Sequence, residues 1–187
     1  MFGIISAALV LATTSIKADG EPEDPPAGSS LEERVEQRSN EQSVQLEDRE
    51  ISRLEGRCSE VQSNIRQLQN QKISMLNNRD EVYERISGKT WLALGTIRLN
   101  NIDTFNLQQH ATTLDEEIEE FRRYSSLYNQ AIRDTLDMNC SADVEAFVAM
   151  IKTARLYDRS LLDTADNIRN IINNDVREEL EALTEEV

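Results

Sequence analysis

No proline follows residue 26 in this chain of 187 residues, and this absence is what most constrains its fold. Proline ends or kinks helices, so a long stretch without it permits unusually long helices. The chain also has only six glycines and 5% aromatic residues. It therefore lacks the turn residues and β-formers on which sandwiches, barrels and doubly wound sheets depend. These features predict an all-α fold.

Apolar residues recur in a heptad pattern along residues 46–99, which predicts a first long helix. Lys72 and Arg79 interrupt the pattern, and residues 31–45 carry it so weakly that we predict a frayed extension there. Leu76 and Tyr83 shift to the neighbouring column, because a straight helix drifts by about 20° per heptad against a 3.5-residue repeat. The positions that define the pattern are Ile51, Leu54, Cys58, Val61, Ile65, Leu68, Met75, Val82 and Ile86.

Two short turns divide the rest of the chain. The first, residues 100–104, contains asparagines that tolerate the left-handed backbone at a helix end. The second, residues 138–141, ends in Ser141, which we expect to cap the third helix. Amphipathic helices joined by short turns pack antiparallel. We therefore predict an elongated antiparallel three-helix bundle over residues 31–187, in other words a coiled-coil hairpin with an added helix, in which Asp158 interrupts the third apolar stripe.

The two cysteines test this arrangement. Folding the second helix back on the first places Cys58 and Cys140 at nearly the same height, with a mismatch of roughly 6 Å along the axis. We therefore predict a disulfide between them, and not a reactive thiol, because the chain has no Cys-x-x-Cys motif. The bridge would contribute up to roughly 4.5 kcal/mol on the chain-entropy model.

The N-terminus has the features of an export signal. Residues 2–16 are apolar or small and too short to span a bilayer easily, and a cleavage site before Asp19 fits. We predict a signal peptide over residues 1–18, or alternatively an uncleaved membrane anchor, which would be the only membrane contact. Residues 19–30 hold all three prolines and predict a disordered acidic spacer. Both alternatives predict an extracytoplasmic location: secreted, periplasmic or at the cell surface.

The charge balance and motif content argue against most enzyme and nucleic-acid functions. The net charge of −15 disfavours nucleic acid, and a single histidine, His110, leaves little room for metal or histidine-based catalysis. The acidic run 115–120 has no calcium-loop motif, so we interpret it as a solvated helix face. We predict no catalytic residue, cofactor, metal or small-molecule substrate. The remaining candidate site is a partner contact near the far tip, because tryptophan is enriched in binding hot spots; it comprises Trp91, Leu92 and Leu94.

A loose set of positions resembles a known group of proteins. The chain is similar, over about residues 50–175, to uncharacterised exported helical (coiled-coil) proteins of small-genome candidate-phylum bacteria. This resemblance implies a signal peptide, a long helical hairpin with an added helix and a bacterial extracytoplasmic setting, and it implies no activity. The positions are Leu54-x-x-Arg57-Cys58, Tyr83-x-x-Ile86-Ser87, Ile102-Asp103-Thr104, Phe121, Cys140 and Phe147-x-x-x-Ile151-x-x-Ala154-Arg155.

The functional expectation is a non-enzymatic extracytoplasmic coiled-coil protein that acts as scaffold or interaction partner. It would bind a protein partner, or another copy of itself, by burying helical surfaces. Two alternatives stay open: an envelope-associated accessory to cell-wall or membrane remodelling, and a holdase-type chaperone.

Overall fold

A computed structural model describes residues 23–42 and 44–185, and every regular element within them is helical. The all-α prediction is thus confirmed. The predicted signal peptide at 1–18 lies outside the described residues. The helices are α1 (Leu31–Glu41), α2 (Asp48–Glu55), α3 (Cys58–Leu99), α4 (Phe105–Asp137), α5 (Val144–Asn170) and α6 (Arg177–Glu185), with a π-helical turn (Ile171–Val176) that joins α5 to α6.

The three longest helices form an antiparallel bundle. Tyr83 of α3 and Phe121 of α4 pack edge to face, with 5.2 Å between their ring centroids. Nearby, Arg122 Nε of α4 lies 2.6 Å from Asp80 Oδ1 of α3. Residue numbers thus rise along α3 as they fall along α4. Asn101, with φ of 60°, makes the turn between them, as its tolerance of the left-handed region predicts. At 1.5 Å per residue α3 is about 63 Å long, so the bundle is elongated.

Cys58 and Cys140 form a disulfide with a Cα–Cα distance of 5.9 Å, which confirms the predicted pairing. The bridge links the first residue of α3 to the turn that follows α4. Nearby, the Gln62 side-chain amide donates to the Met138 carbonyl at 3.0 Å. The α3–α4 hairpin is therefore closed covalently at the end opposite its own turn.

The predicted cap of the third helix was wrong by two residues. Asp143, and not Ser141, is the N-cap of α5, and its carboxylate accepts from the Ala146 amide at 2.8 Å. A carboxylate at this position also interacts favourably with the positive end of the helix dipole.

Two expectations for the first helix were wrong. Gly56 and Arg57 interrupt the helix that we predicted to be continuous, which separates α2 from α3. Residues 31–41 are not a frayed extension but a separate helix, α1, which Ser30 begins with a capping box and which packs on α5. The heptad pattern did not reveal α1, because a polar helix carries almost no apolar signal. It did not reveal the break either, because Leu54 and Cys58 keep the apolar spacing across Gly56 and Arg57.

The apolar residues of the predicted heptad pattern are only partly buried on α3. The buried face follows the drifted column, with Leu76, Thr90 and Leu94 inside, whereas α2 buries none of its residues. Lys72 and Asp158, two of the three charges that we expected to interrupt the apolar patterns, are ion-paired to each other. Because the two charges neutralise each other, each helix tolerates a charged residue within its apolar pattern.

The core lies between α4 and α5. Leu107, Leu114, Phe121, Leu161 and Ile168 are all essentially inaccessible to solvent. The π-helical turn carries Ile171 and Val176 into the same cluster. On α4, Leu107, Leu114 and Phe121 are spaced by seven residues, so these apolar positions mark the buried face of the helix.

Residues 23–30, which we assigned to the acidic spacer, contact the folded part. Asp24 pairs with Arg123 of α4 at 2.9 Å, and the Glu23 carbonyl accepts from Arg38. Arg38 is almost completely buried and also donates to the Tyr157 hydroxyl. These contacts place α1 and the segment before it against α4 and α5. Residues 19–22 lie outside the described range.

Candidate functional site

The structure separates the three residues of the predicted partner contact. Leu92 is 72% exposed and Trp91 is 37% exposed, but only 3% of Leu94 is accessible. Leu94 therefore belongs to the core and cannot contact a partner, which corrects that part of the prediction. The indole N–H of Trp91 donates to Asp115 Oδ2 at 2.8 Å, so the ring is held against α4. The sequence could not distinguish these positions because neighbouring residues on a helix point in different directions.

Two exposed apolar residues near the tip were missed. Leu99 is the last residue of α3 and Phe105 the first of α4, and both are largely exposed. They lie on either side of the turn at residues 100–104. Together with Trp91 and Leu92 they form what we call the tip surface. A search for bulky apolar residues next to the turn would have found them.

A second apolar surface runs along α3. Leu68, Met75 and Val82 are exposed by 60, 37 and 43%. They are spaced by seven residues, so they lie on nearly the same side of the helix. We call these three residues the α3 stripe. Met75 and Val82 line a shallow open groove of about 460 Å³, together with Arg79 and Tyr83.

The charge around the α3 stripe differs from that of the chain as a whole. At roughly 100° per residue, the positions of α3 within about 80° of the stripe and level with it, residues 65–89, include four cations and no carboxylate. The nearest carboxylate of α3 on this face, Glu60, lies eight residues before Leu68 and pairs with Arg57. The cations are Lys72, Arg79, Arg85 and Lys89. Over the whole chain, by contrast, acids outnumber bases by 35 to 20. The carboxylates of this part of α3 point elsewhere; Asp80, for example, pairs with Arg122 of α4.

One of these cations is neutralised within the bundle. Lys72 pairs with Asp158 of α5, and its ammonium lies 5.6 Å from the centre of the Tyr128 ring. Burial and, to a lesser degree, the nearby Asp158 carboxylate together raise the pKa of Tyr128 to about 12. Among the residues that the structure describes, Arg79, Arg85 and Lys89 form no ion pair. The face beside the stripe is therefore cationic.

The other buried charges hold α1 in place and do not form a reactive site. Arg34 binds Asp134 through two nitrogens, each 2.7 Å from a carboxylate oxygen. Arg38 lies over the Tyr157 ring with its Cζ 5.4 Å from the centroid. Burial raises the pKa of Tyr157 to about 12 and thus favours its neutral form. Because every one of these groups has a structural partner, we assign them to stability.

The described part of the chain holds no candidate metal centre. Across residues 23–42 and 44–185 there is no group of three or more potential metal ligands. Asp115, in the acidic run, accepts from Ser87 and Trp91, and His110 of the same helix is partly buried. None of the helices in this range is both long enough and apolar enough to cross a bilayer.

Comparison with family models, curated proteins and solved structures found no match for this chain. The resemblance to exported helical proteins of candidate-phylum bacteria therefore stays a prediction. The candidate sites rest on the geometry above: the tip surface and the α3 stripe.

Proposed function

We propose that the chain is a non-enzymatic, extracytoplasmic interaction protein: an acidic coiled-coil rod that binds a protein partner through exposed apolar side chains. One observation carries this proposal. Of the eight large apolar side chains exposed in the described residues, six lie on α3, a seventh is Phe105 and the eighth is Leu162 of α5. Apolar surface concentrated on one element is typical of interaction sites, whereas scattered single residues are not.

The extracytoplasmic part of the proposal has separate support. Disulfides persist in oxidising compartments and are rare in the reducing cytoplasm, and Cys58 is bonded to Cys140. The apolar run at residues 2–16 has the length and composition of a signal-peptide core. Both features together support a secreted, periplasmic or surface location.

The elongated shape suits a binding rod better than an enzyme. An active site of ordinary size needs a concave pocket lined by convergent polar groups. The groove beside Met75 is shallow and open, and its lining does not combine a nucleophile with a base. A rod instead presents a long side surface along which a partner can bind.

The test is crosslinking in the cells that make the protein, followed by quantitative identification of the crosslinked chains. Four proteins are compared. The first three are the native chain, a tip variant (Trp91→Ala with Leu92→Ser) and a stripe variant (Leu68→Ser with Met75→Ser). A third variant, Leu162→Ser, is the matched control because Leu162 is similarly exposed on α5. Circular dichroism and the absence of free thiols establish that each variant is folded and oxidised.

We expect at least one partner to disappear in the tip or the stripe variant and to persist in the Leu162→Ser control. If the same chains crosslink to all four proteins, the interaction proposal is contradicted. Turnover of cell-wall or peptide substrates by the purified chain would contradict its non-enzymatic part.

A further inference from the structure

From the charge and geometry of α3, we infer that the α3 stripe is a docking site for an acidic amphipathic helix of another protein. This inference rests on the proposed interaction function and names the chemistry of the occupant. The stripe, rather than the tip surface, carries the inference because its residues combine regular spacing with an unusual charge environment.

The spacing of the stripe specifies a helical partner. Leu68, Met75 and Val82 repeat every seven residues and are exposed along about 21 Å of a straight helix. A second helix lying alongside presents its own apolar residues every 3.5 residues on average, so it contacts each member of the stripe in turn. An amphipathic helix that lays its apolar face on exposed apolar side chains is a common binding mode. Here Met75 and Val82 supply the apolar contacts, and polar side chains such as Gln71 and Asn78 line the rest of the groove.

The charge of the surrounding face specifies an acidic partner. Arg79, Arg85 and Lys89 lie beside the stripe without an ion pair among the described residues, and α3 places no carboxylate there. Carboxylates on the partner would pair with these cations at the edge of the interface and speed association. On α5, the Asp158 carboxylate is already paired with Lys72, and that of Asp166 with Arg169.

The same charges disfavour a second copy of the chain on this face. In a two-fold dimer each surface meets its own copy, so the cations beside one stripe would face the cations beside the other. An acidic helix of another protein avoids the local repulsion and gains ion pairs.

The test uses a designed helical peptide of about three heptads, with leucine at positions a and d and glutamate at positions e and g. A matched peptide has lysine in place of glutamate. Binding to the full, oxidised chain is measured by fluorescence anisotropy at low and high salt, and analytical ultracentrifugation gives the oligomeric state of the chain. The protein variants are Met75→Glu, Arg79→Gln and, as the control, Leu162→Glu.

We expect the glutamate peptide to bind at least about 10-fold more tightly than the lysine peptide, and less tightly as salt increases. Met75→Glu should weaken binding by about 10-fold or more, because it adds a negative charge to the apolar contact, and Arg79→Gln by about 3-fold. Leu162→Glu should leave the affinity unchanged.

Equal binding of the two peptides, or binding that Met75→Glu does not change, would overturn the inference. So would a dimer that Met75→Glu dissociates, since the occupant would then be a second copy. If the peptides fail but the tip variant loses its crosslinked partners in cells, only this inference falls and the proposed function stands. If neither surface affects any partner, both fail.

Discussion

The α4–α5 pair and α3 use their apolar residues in opposite ways. On α4 and α5 the apolar columns are buried against each other, with Leu107, Leu114 and Ile168 completely inaccessible. On α3, a helix of 42 residues, only Leu76, Thr90 and Leu94 are buried. The comparison teaches that one pair of helices provides most of the core, whereas α3 contributes one face to it and leaves a second apolar face outside.

The difference also explains how α3 is held. A helix that buries one narrow face gains little packing energy per residue. The turn at residues 100–104 fixes one end of α3, and the disulfide from Cys58 to Cys140 fixes the other. Ion pairs such as Lys72 to Asp158 connect the middle to α5. The covalent link is therefore placed where packing is weakest.

The largest effect should come from the core of α4. Phe121→Ala removes a buried ring that packs edge-to-face against Tyr83, and we expect a loss of about 3–5 kcal/mol in the free energy of unfolding. Denaturant unfolding of the oxidised chain, followed by circular dichroism, measures it. Met75→Ala on the exposed side of α3 is the matched control and should cost less than about 0.5 kcal/mol. Equal losses in the two variants would remove the contrast between the helices.

Removing the disulfide should have the next largest effect. The bridge spans 82 residues, so the double variant Cys58→Ser with Cys140→Ser should lose about 2–4 kcal/mol. Hydrogen exchange should rise most in the first turns of α3, because packing holds that end least. Reductant should destabilise the native chain and leave the double variant unaffected. A double variant as stable as the native chain would show that packing alone holds α3.

Alkaline pH should lower the free energy of unfolding. The pKa values of Tyr128 and Tyr157 are raised to about 12 in the fold, against about 10 in an unfolded chain. Above pH 10 the unfolded chain loses these protons first, so it binds fewer protons than the native state and stability falls as pH rises. The stabilisation is complete below pH 10 and is lost as pH increases toward 12.

Urea unfolding between pH 8 and 11 measures this effect. The double variant Tyr128→Phe with Tyr157→Phe should be less stable at pH 8 and show a shallower decline above pH 10. Identical slopes for the two proteins would mean that neither hydroxyl is responsible for the pH dependence.

The sequence was sufficient for the all-α class, the first turn and the disulfide, because each depends on local signals or simple lengths. The absence of proline, the asparagines at 100–101 and the height of Cys58 opposite Cys140 are all readable without coordinates. These features fix an antiparallel hairpin before any packing detail is known.

The rest depended on packing that the sequence does not show. Burial of Arg38 is possible because the Tyr157 hydroxyl and the Glu23 carbonyl accept hydrogen bonds from its guanidinium, and a polar helix gives no apolar signal of such a contact. The heptad pattern identified Leu68, Met75 and Val82 as apolar positions but not which column of α3 would face the core. Only the position of α4 and α5 decides that Leu76 and Leu94 lie inside.

The central claim is that the outer apolar face of α3 serves binding and not folding. A variant with a small expected change in stability tests this claim most directly. The triple variant Leu68→Ser, Met75→Ser and Val82→Ser should unfold within about 1 kcal/mol of the native chain, because these side chains are already exposed. The same variant should lose its affinity for the glutamate peptide. A loss of about 3 kcal/mol or more, or an unchanged affinity, would contradict the claim.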